Sequence, residues 1–204
     1  DIPLHNSLNA ILKRLFDIVF SLVVIFGILI WLVPLLALLI SLESKGPVFF
    51  LQKRTGFDND EFQCFKFRSM AMNDSSDHQQ AGKNDMRVTK IGRFIRKTSI
   101  DELPQFYNVL FGNMSVVGPR PHMLKHTDEY ANRVDKYMLR HFVKPGITGL
   151  AQIRGYRGEI ERDSDIQNRI KFDIFYVENW SFFLDLKIIV QTIVNALKGE
   201  EKAY

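Results

Sequence analysis

The longest apolar stretch of the sequence runs from Ile18 to Ile40, which is 23 consecutive residues without a charged side chain. As a single helix it would be roughly 34 Å long, enough to cross a hydrocarbon core of about 30 Å. The simplest interpretation is a transmembrane anchor. A long apolar helix buried in a soluble core is an alternative on the same pattern.

Two features of this stretch favour a re-entrant helix, which enters the membrane and returns to the same side. Pro34 lies inside it and removes a backbone donor, so a kink or break is predicted there. Basic residues flank both ends, with Lys13 and Arg14 before the stretch and Lys45, Lys53 and Arg54 after it. Because positive charge normally marks the cytoplasmic side of a spanning helix, this pattern predicts that both ends face the cytoplasm. A simple spanning helix stays open.

The next pattern is that of a β-hairpin. Short runs at 48–51 and 61–68 are rich in aromatic and β-branched residues, and a turn sequence at 56–60 lies between them. Side chains alternate along a strand, so Phe65 and Phe67 are predicted to face one way and Lys66 and Arg68 the other.

A polar stretch and an amphipathic helix follow the hairpin. Residues 71–86 carry almost no apolar anchor and are predicted to form a loop or a mobile lid. From Arg87 to Lys97 the periodicity predicts a helix with two faces. Its apolar face comprises Val88, Ile91, Phe94 and Ile95, and its basic face Arg87, Lys90, Arg93, Arg96 and Lys97. The basic face is either solvated or in contact with anionic head groups.

Helical periodicity dominates the rest of the chain. A helix ending at Gly112 needs Pro104 in its first turn, which puts Asp101 at or near its N-cap. Further helices are predicted at about 122–141 and 164–178, and Ser181 is a plausible N-cap for a last helix to Leu197. That last helix is apolar around most of its circumference, which suits either a membrane interface or a core. The predicted fold class is mainly α with a small β-hairpin, an α+β fold with interfacial amphipathic helices.

Charge and cysteine content argue against binding to nucleic acid, an internal disulfide and a zinc site. The net charge is +4 and the pI about 9.1, which suits a membrane surface or a phosphorylated substrate better than duplex DNA, so no nucleic-acid partner is predicted. Cys64 is the one cysteine, which excludes an internal disulfide, and no Cys/His cluster has the spacing of a zinc site.

The adjacent carboxylates Asp101 and Glu102 are the strongest candidates for chemistry. The sequence carries no P-loop, nucleophile elbow, HExxH pair or Rossmann glycine pattern. Acidic residues in a first helical turn are commonly only caps. The functional alternative is that the helix end keeps a carboxylate ionised and binds phosphate, and that the carboxylate attacks phosphorus.

Two cations and a histidine pair accompany the carboxylates. Arg96 lies five residues before Asp101, and Arg120 lies in a stiff Gly-Pro-Arg-Pro turn, so both could neutralise phosphate oxygens. His122 and His126 have the i, i+4 spacing of metal ligands, but without a third ligand nearby a packing or hydrogen-bonding role is favoured.

Together these segments resemble the monotopic phosphoglycosyl transferases, the bacterial sugar transferase family. The resemblance covers nearly the whole chain, through KRLFD at 13–17, GPVFF at 46–50, KFRSM at 66–70, SIDELPQ at 99–105, NMSVVGPRP at 113–121, KPGITG at 144–149 and DLK at 185–187. The stretch after His122 resembles the branch that transfers glucose 1-phosphate to undecaprenyl phosphate. One position departs from the family pattern, because Val33 stands before the membrane-helix proline where the family usually has Ser.

The resemblance implies a ping-pong mechanism on a UDP-sugar donor. Asp101 would attack the phosphate attached to the sugar and release UMP, and undecaprenyl phosphate would then take the phosphosugar. Glu102, with Asp101, would hold Mg²⁺. Arg96 and Arg120 would clamp phosphate, and the further polar positions near the site would be Lys66, Arg68, Gln152 and Asp173.

The resemblance also implies an organisation and a location. Residues 1–12 would be a linker from a missing upstream region, 13–45 the re-entrant helix and 46–204 a catalytic domain on the cytoplasmic face of the bacterial inner membrane, in contact with membrane lipids. UDP-galactose or another UDP-sugar as donor and a non-catalytic membrane scaffold are the alternatives. A homo-oligomer stays open.

Overall fold

The computed structural model describes residues 2–71, 85–124, 127, 130, 134, 136–158 and 162–198. Most of the predicted loop at 71–86 and much of the predicted helix at 122–141 lie outside these residues. His126, the second member of the histidine pair, lies outside them too.

The apolar stretch belongs to a helix that starts earlier than predicted. Helix α1 (Ser7–Val24) leads through a π-helical turn (Ile25–Leu29) into helix α2 (Ile30–Glu43). The side chain of Asn6 caps α1 by accepting a hydrogen bond from the N–H of Leu8 at 2.9 Å. Residues 7–12, which were predicted as part of a linker, are therefore helical and continuous with the apolar stretch.

Of the kink or break predicted at Pro34, no break is found, and the irregular turn of the helix lies just before the proline. The chain stays helical through Pro34, and the departure from α geometry is the π-turn before it, where the N–H of Ile30 bonds to the carbonyl O of Ile25. Pro34 cannot donate to the carbonyl of Ile30, four residues earlier. The local loosening of the helix is therefore taken up in a wider turn immediately before Ile30.

One stripe of this helix faces the rest of the molecule. Its buried residues are polar in α1 (Lys13, Asp17 and Ser21) and apolar from the π-turn onward (Leu29, Leu36 and Ile40). The opposite side carries exposed apolar residues such as Trp31, which is 75% exposed. Among the described residues, Ser7–Glu43 is the one helix long and apolar enough to cross a membrane, judged by length and composition.

Both ends of the long helix contact the same globular body. At its start, the guanidinium of Arg14 donates to the carbonyl O of Val109 at 2.6 Å and to that of Leu110 at 2.8 Å. At its end, Arg68 donates to the carbonyl O of Ser44 and to that of Lys45, each at 2.6 Å. The apolar middle of the helix therefore lies between two ends that are fixed to one domain.

Two small sheets lie in that domain. Strands β1 (Phe49–Thr55) and β2 (Glu61–Phe67) form the predicted antiparallel hairpin, with Phe49 opposite Phe67 and Thr55 opposite Glu61. Strands β3 (Ser115–Val117) and β4 (Gly146–Thr148) pair in parallel, which the sequence did not indicate.

Two glycines allow the turns beside β3 and β4 to meet backbone to backbone. A Cβ on Gly146 would lie 2.0 Å from the N of Gly118, and a Cβ on Gly118 would lie 2.5 Å from the carbonyl O of Lys144. The contact is closed by hydrogen bonds from the N–H of Gly146 to the carbonyl O of Pro119 and from that of Gly118 to the carbonyl O of Thr148, each at 2.9 Å. This fixes the turn that carries Arg120.

The remaining helices surround these sheets. They are α3 (Lys90–Lys97), α4 (Gln105–Phe111), α5 (Leu150–Ile153), α6 (Asp163–Glu178) and α7 (Phe182–Lys198). The predicted cap of the last helix is confirmed, because the hydroxyl of Ser181 accepts from the N–H of Leu184 at 3.2 Å. The long helix, the hairpin, α3, α4 and α7 share one hydrophobic core, which includes Leu29, Phe67, Ile95, Val109 and Ile188. The α+β prediction is confirmed.

Candidate active site

The carboxylate pair lies on a single turn of 3-10 helix (Ile100–Glu102) between α3 and α4. Ser99 enters this turn with φ at 58°, in the left-handed region. The N-cap of α4 is Pro104, so Asp101 lies near the start of that helix, as predicted, but does not itself cap it. The pair is held by the tight turn, in which Glu102 points inward and is buried while Asp101 is only half-buried.

Glu102 binds three cations. Its Oε1 lies 2.9 Å from the Nζ of Lys66 and 2.6 Å from the Nη2 of Arg120, and its Oε2 lies 3.1 Å from the Nη1 of Arg120 and 3.0 Å from the Nη2 of Arg157. Burial alone would raise the pKa of Glu102, but the charges of these residues outweigh it and hold that pKa well below its ordinary value. Glu102 is therefore ionised, and its carboxylate holds three cationic side chains beside Asp101.

Asp101 has the opposite surroundings. Within the described part of the chain, no hydrogen bond or ion pair engages its carboxylate. Burial and then the charge of Glu102 raise the pKa of Asp101 to about 6, against the opposing charges of Lys66, Arg96 and Arg157. Glu102 is thus occupied by cationic side chains, whereas the carboxylate of Asp101 is available to a ligand.

A second layer of residues holds Arg120. Arg140 is fully buried, and its Nη2 donates both to the carbonyl O of Arg120 at 2.6 Å and to the Oδ2 of Asp173 at 2.8 Å. Asp173 therefore acts on the site through Arg140. Arg169, one turn before Asp173 on α6, donates to the carbonyl O of Gly158 at 2.6 Å, directly after Arg157.

Two of the predicted site residues, Arg68 and Gln152, do not contact the carboxylate pair among the described residues. Arg68 lies just beyond β2 and caps the C-terminal end of α2 through backbone carbonyls, because helix ends leave such groups unsatisfied. Gln152 lies in α5 and donates to the carbonyl O of Ile147 at 3.2 Å. Neither contacts Asp101 or Glu102 through any interaction of the described residues, and their assignment to the site remains a prediction.

Two arginines that the sequence did not single out belong to the site. Arg157 binds Glu102 directly, and Arg140 holds the backbone of Arg120. Both occur in segments that resemble one branch of the family, and that resemblance was the available signal. Arg140 precedes β4 and Arg157 follows α5, and both reach the carboxylate pair only through the tertiary fold. The local sequence pattern therefore could not predict these contacts.

His122 has the packing role that was favoured for it. Its Nδ1 and the hydroxyl of Tyr137 form a hydrogen bond of 2.7 Å, and its ring packs edge-on against Tyr130. Over the described ranges, which omit His126, no group of three or more His, Cys, Asp or Glu side chains could hold a metal ion.

The carboxylate pair fits Mg²⁺ in one way only. Mg²⁺ is usually held by one or two carboxylates together with waters and substrate phosphates. Both oxygens of Glu102 already bind cations, whereas the carboxylate of Asp101 is available. The arrangement therefore fits a Mg²⁺ held by Asp101 and by phosphate oxygens. The assignment of Glu102 as a metal ligand remains a prediction that its ion pairs do not favour.

Known proteins resemble this chain over most of its length. The UDP-glucose:undecaprenyl-phosphate glucose-1-phosphate transferase of Klebsiella pneumoniae is 51% identical over 95% of this chain and 41% of the relative. A protein of the same name from Caulobacter vibrioides is 44% identical over 96% of this chain and 73% of the relative. The UDP-N-acetylgalactosamine-undecaprenyl-phosphate N-acetylgalactosaminephosphotransferase of Aeromonas hydrophila is also 44% identical, over 96% of this chain and 46% of the relative.

These matches fix the family. The chain spans less than half the length of the Klebsiella and Aeromonas relatives. The sequence pattern of the family described as Bacterial sugar transferase matches residues 8–199, which include the long helix, the hairpin and the carboxylate pair. The chain belongs to the bacterial sugar transferase family.

Proposed function

We propose that this chain transfers glucose 1-phosphate from UDP-glucose to undecaprenyl phosphate and releases UMP. The observation that carries the proposal is the asymmetry of the carboxylate pair, in which Asp101 is unpaired among the described residues and Glu102 holds three cations beside it. The names of the Klebsiella and Caulobacter relatives support the donor and the acceptor.

In the first half-reaction a carboxylate oxygen of Asp101 attacks the phosphorus that bears glucose. The bond from this phosphorus to the bridging oxygen breaks, and UMP leaves with that oxygen and its electron pair. The product is an acyl phosphate between Asp101 and glucose 1-phosphate. Lys66, Arg120 and Arg157 are placed to neutralise the diphosphate, because their charges converge on Glu102 next to the nucleophile.

In the second half-reaction a phosphate oxygen of undecaprenyl phosphate attacks the same phosphorus. The bond to the Asp101 oxygen breaks, which restores the carboxylate and yields undecaprenyl diphosphate glucose. The same cations serve both steps, because the transferred phosphoryl group stays in one place. Mg²⁺, when bound, would supply further positive charge against the anionic nucleophile and the phosphates.

The contacts of the long helix support a membrane arrangement for this chain. Its two ends are held by Val109, Leu110 and Arg68 on one body, which supports a re-entrant helix whose ends lie on the same side of the bacterial inner membrane, at its cytoplasmic face. Exposed apolar residues on the long helix, α3 and α7 suit the lipid side of that arrangement, among them Leu15, Phe26, Trp31, Phe94, Phe183, Val190 and Leu197.

Labelling of single cysteines tests the topology. Cys64 is buried, so it contributes little background. Cysteines at Leu8 and Lys45 should both react with an impermeant maleimide added from the cytoplasmic side of inverted vesicles, and neither should react from the other side. Labelling of the two positions from opposite faces would instead establish a spanning helix.

Transfer of label to the protein tests the chemistry. UDP-glucose with ³²P in the phosphate next to the sugar should label the wild-type chain and release UMP, and Asp101→Asn should do neither. Asp163→Asn, an exposed substitution at the start of α6, serves as the matched control and should behave as wild type. Normal turnover by Asp101→Asn would rule out the covalent step.

A panel of donors tests the sugar. The Aeromonas relative, named for N-acetylgalactosamine, is as identical to this chain as the Caulobacter one, so overall identity alone does not select the sugar. UMP release measured with UDP-glucose, UDP-galactose and UDP-N-acetylgalactosamine should be fastest with UDP-glucose. Release with none of these donors would favour a membrane scaffold without catalytic activity.

A further inference from the structure

Glu43, the last residue of α2, is bonded to the first turn of α3. Its Oε1 accepts a hydrogen bond from the N–H of Lys90 at 2.6 Å, and its Oε2 accepts one from the N–H of Ile91 at 2.9 Å. These N–H groups have no partner inside α3, because they belong to its first turn. One carboxylate thus joins the end of the membrane helix to the start of α3.

The other end of α3 leads directly to the carboxylate pair. The N–H of Ser99 donates to the carbonyl O of Arg96 at 3.1 Å, and the N–H of Glu102 donates to the carbonyl O of Ser99 at 3.2 Å. Backbone hydrogen bonds therefore continue without a gap from α3 through the turn that carries Asp101. The eight residues of α3 span about 12 Å, so a displacement of the start of the helix is transmitted to Asp101.

Tight packing prevents α3 from moving independently. A Cβ on Gly92 would lie 1.9 Å from the carbonyl O of Ser69, so only glycine allows this approach. The N–H of Thr89 donates to the same carbonyl at 3.2 Å, and the side chain of Ile95 is fully buried in the core. The helix is a rigid connector between Glu43 and the pair.

A second connection runs from the same helix end to Glu102. Arg68 binds the carbonyl groups of Ser44 and Lys45, and two residues earlier Lys66 binds Glu102 at 2.9 Å. The end of the membrane helix is therefore linked to Asp101 through α3 and to Glu102 through β2.

We propose that Glu43 is a positioning residue, which sets the place of Asp101 relative to the end of the membrane helix. The proposal rests on the function proposed above, because a lipid-borne acceptor brings its phosphate to a fixed depth at the membrane surface. A nucleophile for that phosphate must be held at the same depth, and reacting atoms lose rate steeply when misplaced. The Glu43 carboxylate holds Asp101 at this depth without contacting the substrate.

Kinetics of Glu43 variants in the full chain, in bilayer nanodiscs with UDP-glucose and undecaprenyl phosphate, provide the first test. Glu43→Gln keeps one acceptor and the size of the side chain, and Glu43→Ala keeps neither. We expect kcat to fall about 10-fold in Glu43→Gln and about 100-fold in Glu43→Ala, with the KM for UDP-glucose changed less than about twofold. Glu43→Asp, which keeps the charge, should recover part of the loss.

Two controls separate positioning from a loss of stability. Ser181→Ala removes the side-chain cap of α7, and Glu61→Gln removes the carboxylate of an exposed ion pair on the hairpin. Both should leave kcat within about twofold of wild type, even where thermal stability falls as far as in Glu43→Gln. A kcat of Glu43→Gln equal to that of wild type would overturn the proposal.

Hydrogen exchange gives a readout that does not depend on activity. In Glu43→Gln the amides of residues 90–92 and 100–103 should exchange faster than in wild type and in Ser181→Ala, while those of β1 and β2 stay unchanged. Unchanged exchange at 100–103 would overturn the link from Glu43 to the pair. If wild type releases no UMP with any donor, the proposed function fails, and the exchange data still decide whether Glu43 orders this turn.

Discussion

The guanidinium of Arg140 fixes the backbone of Arg120, with its Nη2 at 2.6 Å from the carbonyl O of Arg120. The Nε and Nη2 of Arg140 also bind the Oδ2 of Asp173, and both side chains of this ion pair are almost fully buried. The backbone of Arg120, whose side chain binds Glu102, is therefore fixed by a buried ion pair between Arg140 and Asp173 of α6.

Asp173→Asn should lower both stability and rate. It leaves a buried arginine charge without its partner, which typically costs about 3–5 kcal/mol in the free energy of unfolding. Thermal or denaturant unfolding should show that loss, and UMP release should fall about 10-fold or more through the displacement of Arg120. Asp163→Asn, exposed at the start of α6, is the matched control. Wild-type stability in Asp173→Asn would contradict the assignment.

Arg157→Gln tests the cation that the sequence analysis missed. Removing it leaves Glu102 with Lys66 and Arg120 but takes one positive charge from the phosphate site. We expect the KM for UDP-glucose to rise about 10-fold, which corresponds to about 1.4 kcal/mol of lost binding. Initial rates against donor concentration measure it. Arg154→Gln, exposed three residues earlier, should have no effect, and equal KM values in the two variants would refute the role of Arg157.

His141 makes stability depend on pH. Its Nδ1 donates to the Oδ1 of Asn59 at 2.6 Å, and its Nε2 is buried without a hydrogen-bond partner among the described residues. Burial, and then the charge of Arg140, lower the pKa of His141 from 6.5 to about 4. The unfolded chain therefore binds a proton between these values that the folded chain does not, so stability falls as pH falls from about 6.5 toward 4.

The size of this effect follows from the shift in pKa. Between pH 7 and pH 5 the histidine should cost the fold about 2 kcal/mol, at about 1.4 kcal/mol per pKa unit. His141→Gln should remove that part of the pH dependence. Denaturant unfolding of both proteins at the two pH values measures the difference. The same change in unfolding free energy for both proteins would show that His141 does not contribute.

The ion pair between Lys13 and Asp185 should hold the long helix to α7. Their Nζ and Oδ2 are 2.7 Å apart, and Asp185 also accepts from the hydroxyl of Tyr176 and from the Nε1 of Trp180. Lys13→Met should destabilise the protein by about 3 kcal/mol and lower Tm by about 10 °C. Lys53→Met, which breaks the exposed pair with Glu61, should cost less than about 1 kcal/mol. Equal Tm values for the two variants would contradict the role of Lys13.

The local sequence pattern predicted some residues of the candidate site correctly and not the position of others. Lys66, Glu102 and Arg120 were all predicted, and the fold brings them together. Arg68 does not reach the pair, because the alternation that predicted its direction holds only within a strand, and β2 ends at Phe67. One residue beyond that end, the position of Arg68 is decided by the unsatisfied carbonyls of α2, which belong to a segment more than twenty residues away.

The irregular geometry of the long helix and of the carboxylate turn could not be predicted from the sequence. Pro34 correctly indicated that the helix is irregular, but not where. A helix can accommodate the missing N–H of a proline by widening the turn before it, and here that turn is Ile25–Leu29. Asp101 was expected at a helix N-cap because Pro104 suits a first turn. Ser99 in a left-handed conformation instead starts a separate 3-10 turn, and residue type alone does not reveal that choice.

The pairing of Lys13 with Asp185 also has a consequence for how the protein is made. These two residues are 172 positions apart in the chain. At about 5–20 residues per second, a ribosome needs on the order of 10–30 s to synthesise the intervening stretch. During that time the apolar helix has already been synthesised, while the acidic partner of its lysine has not. The helix therefore cannot be fixed to the domain through this ion pair until Asp185 follows it out of the ribosome.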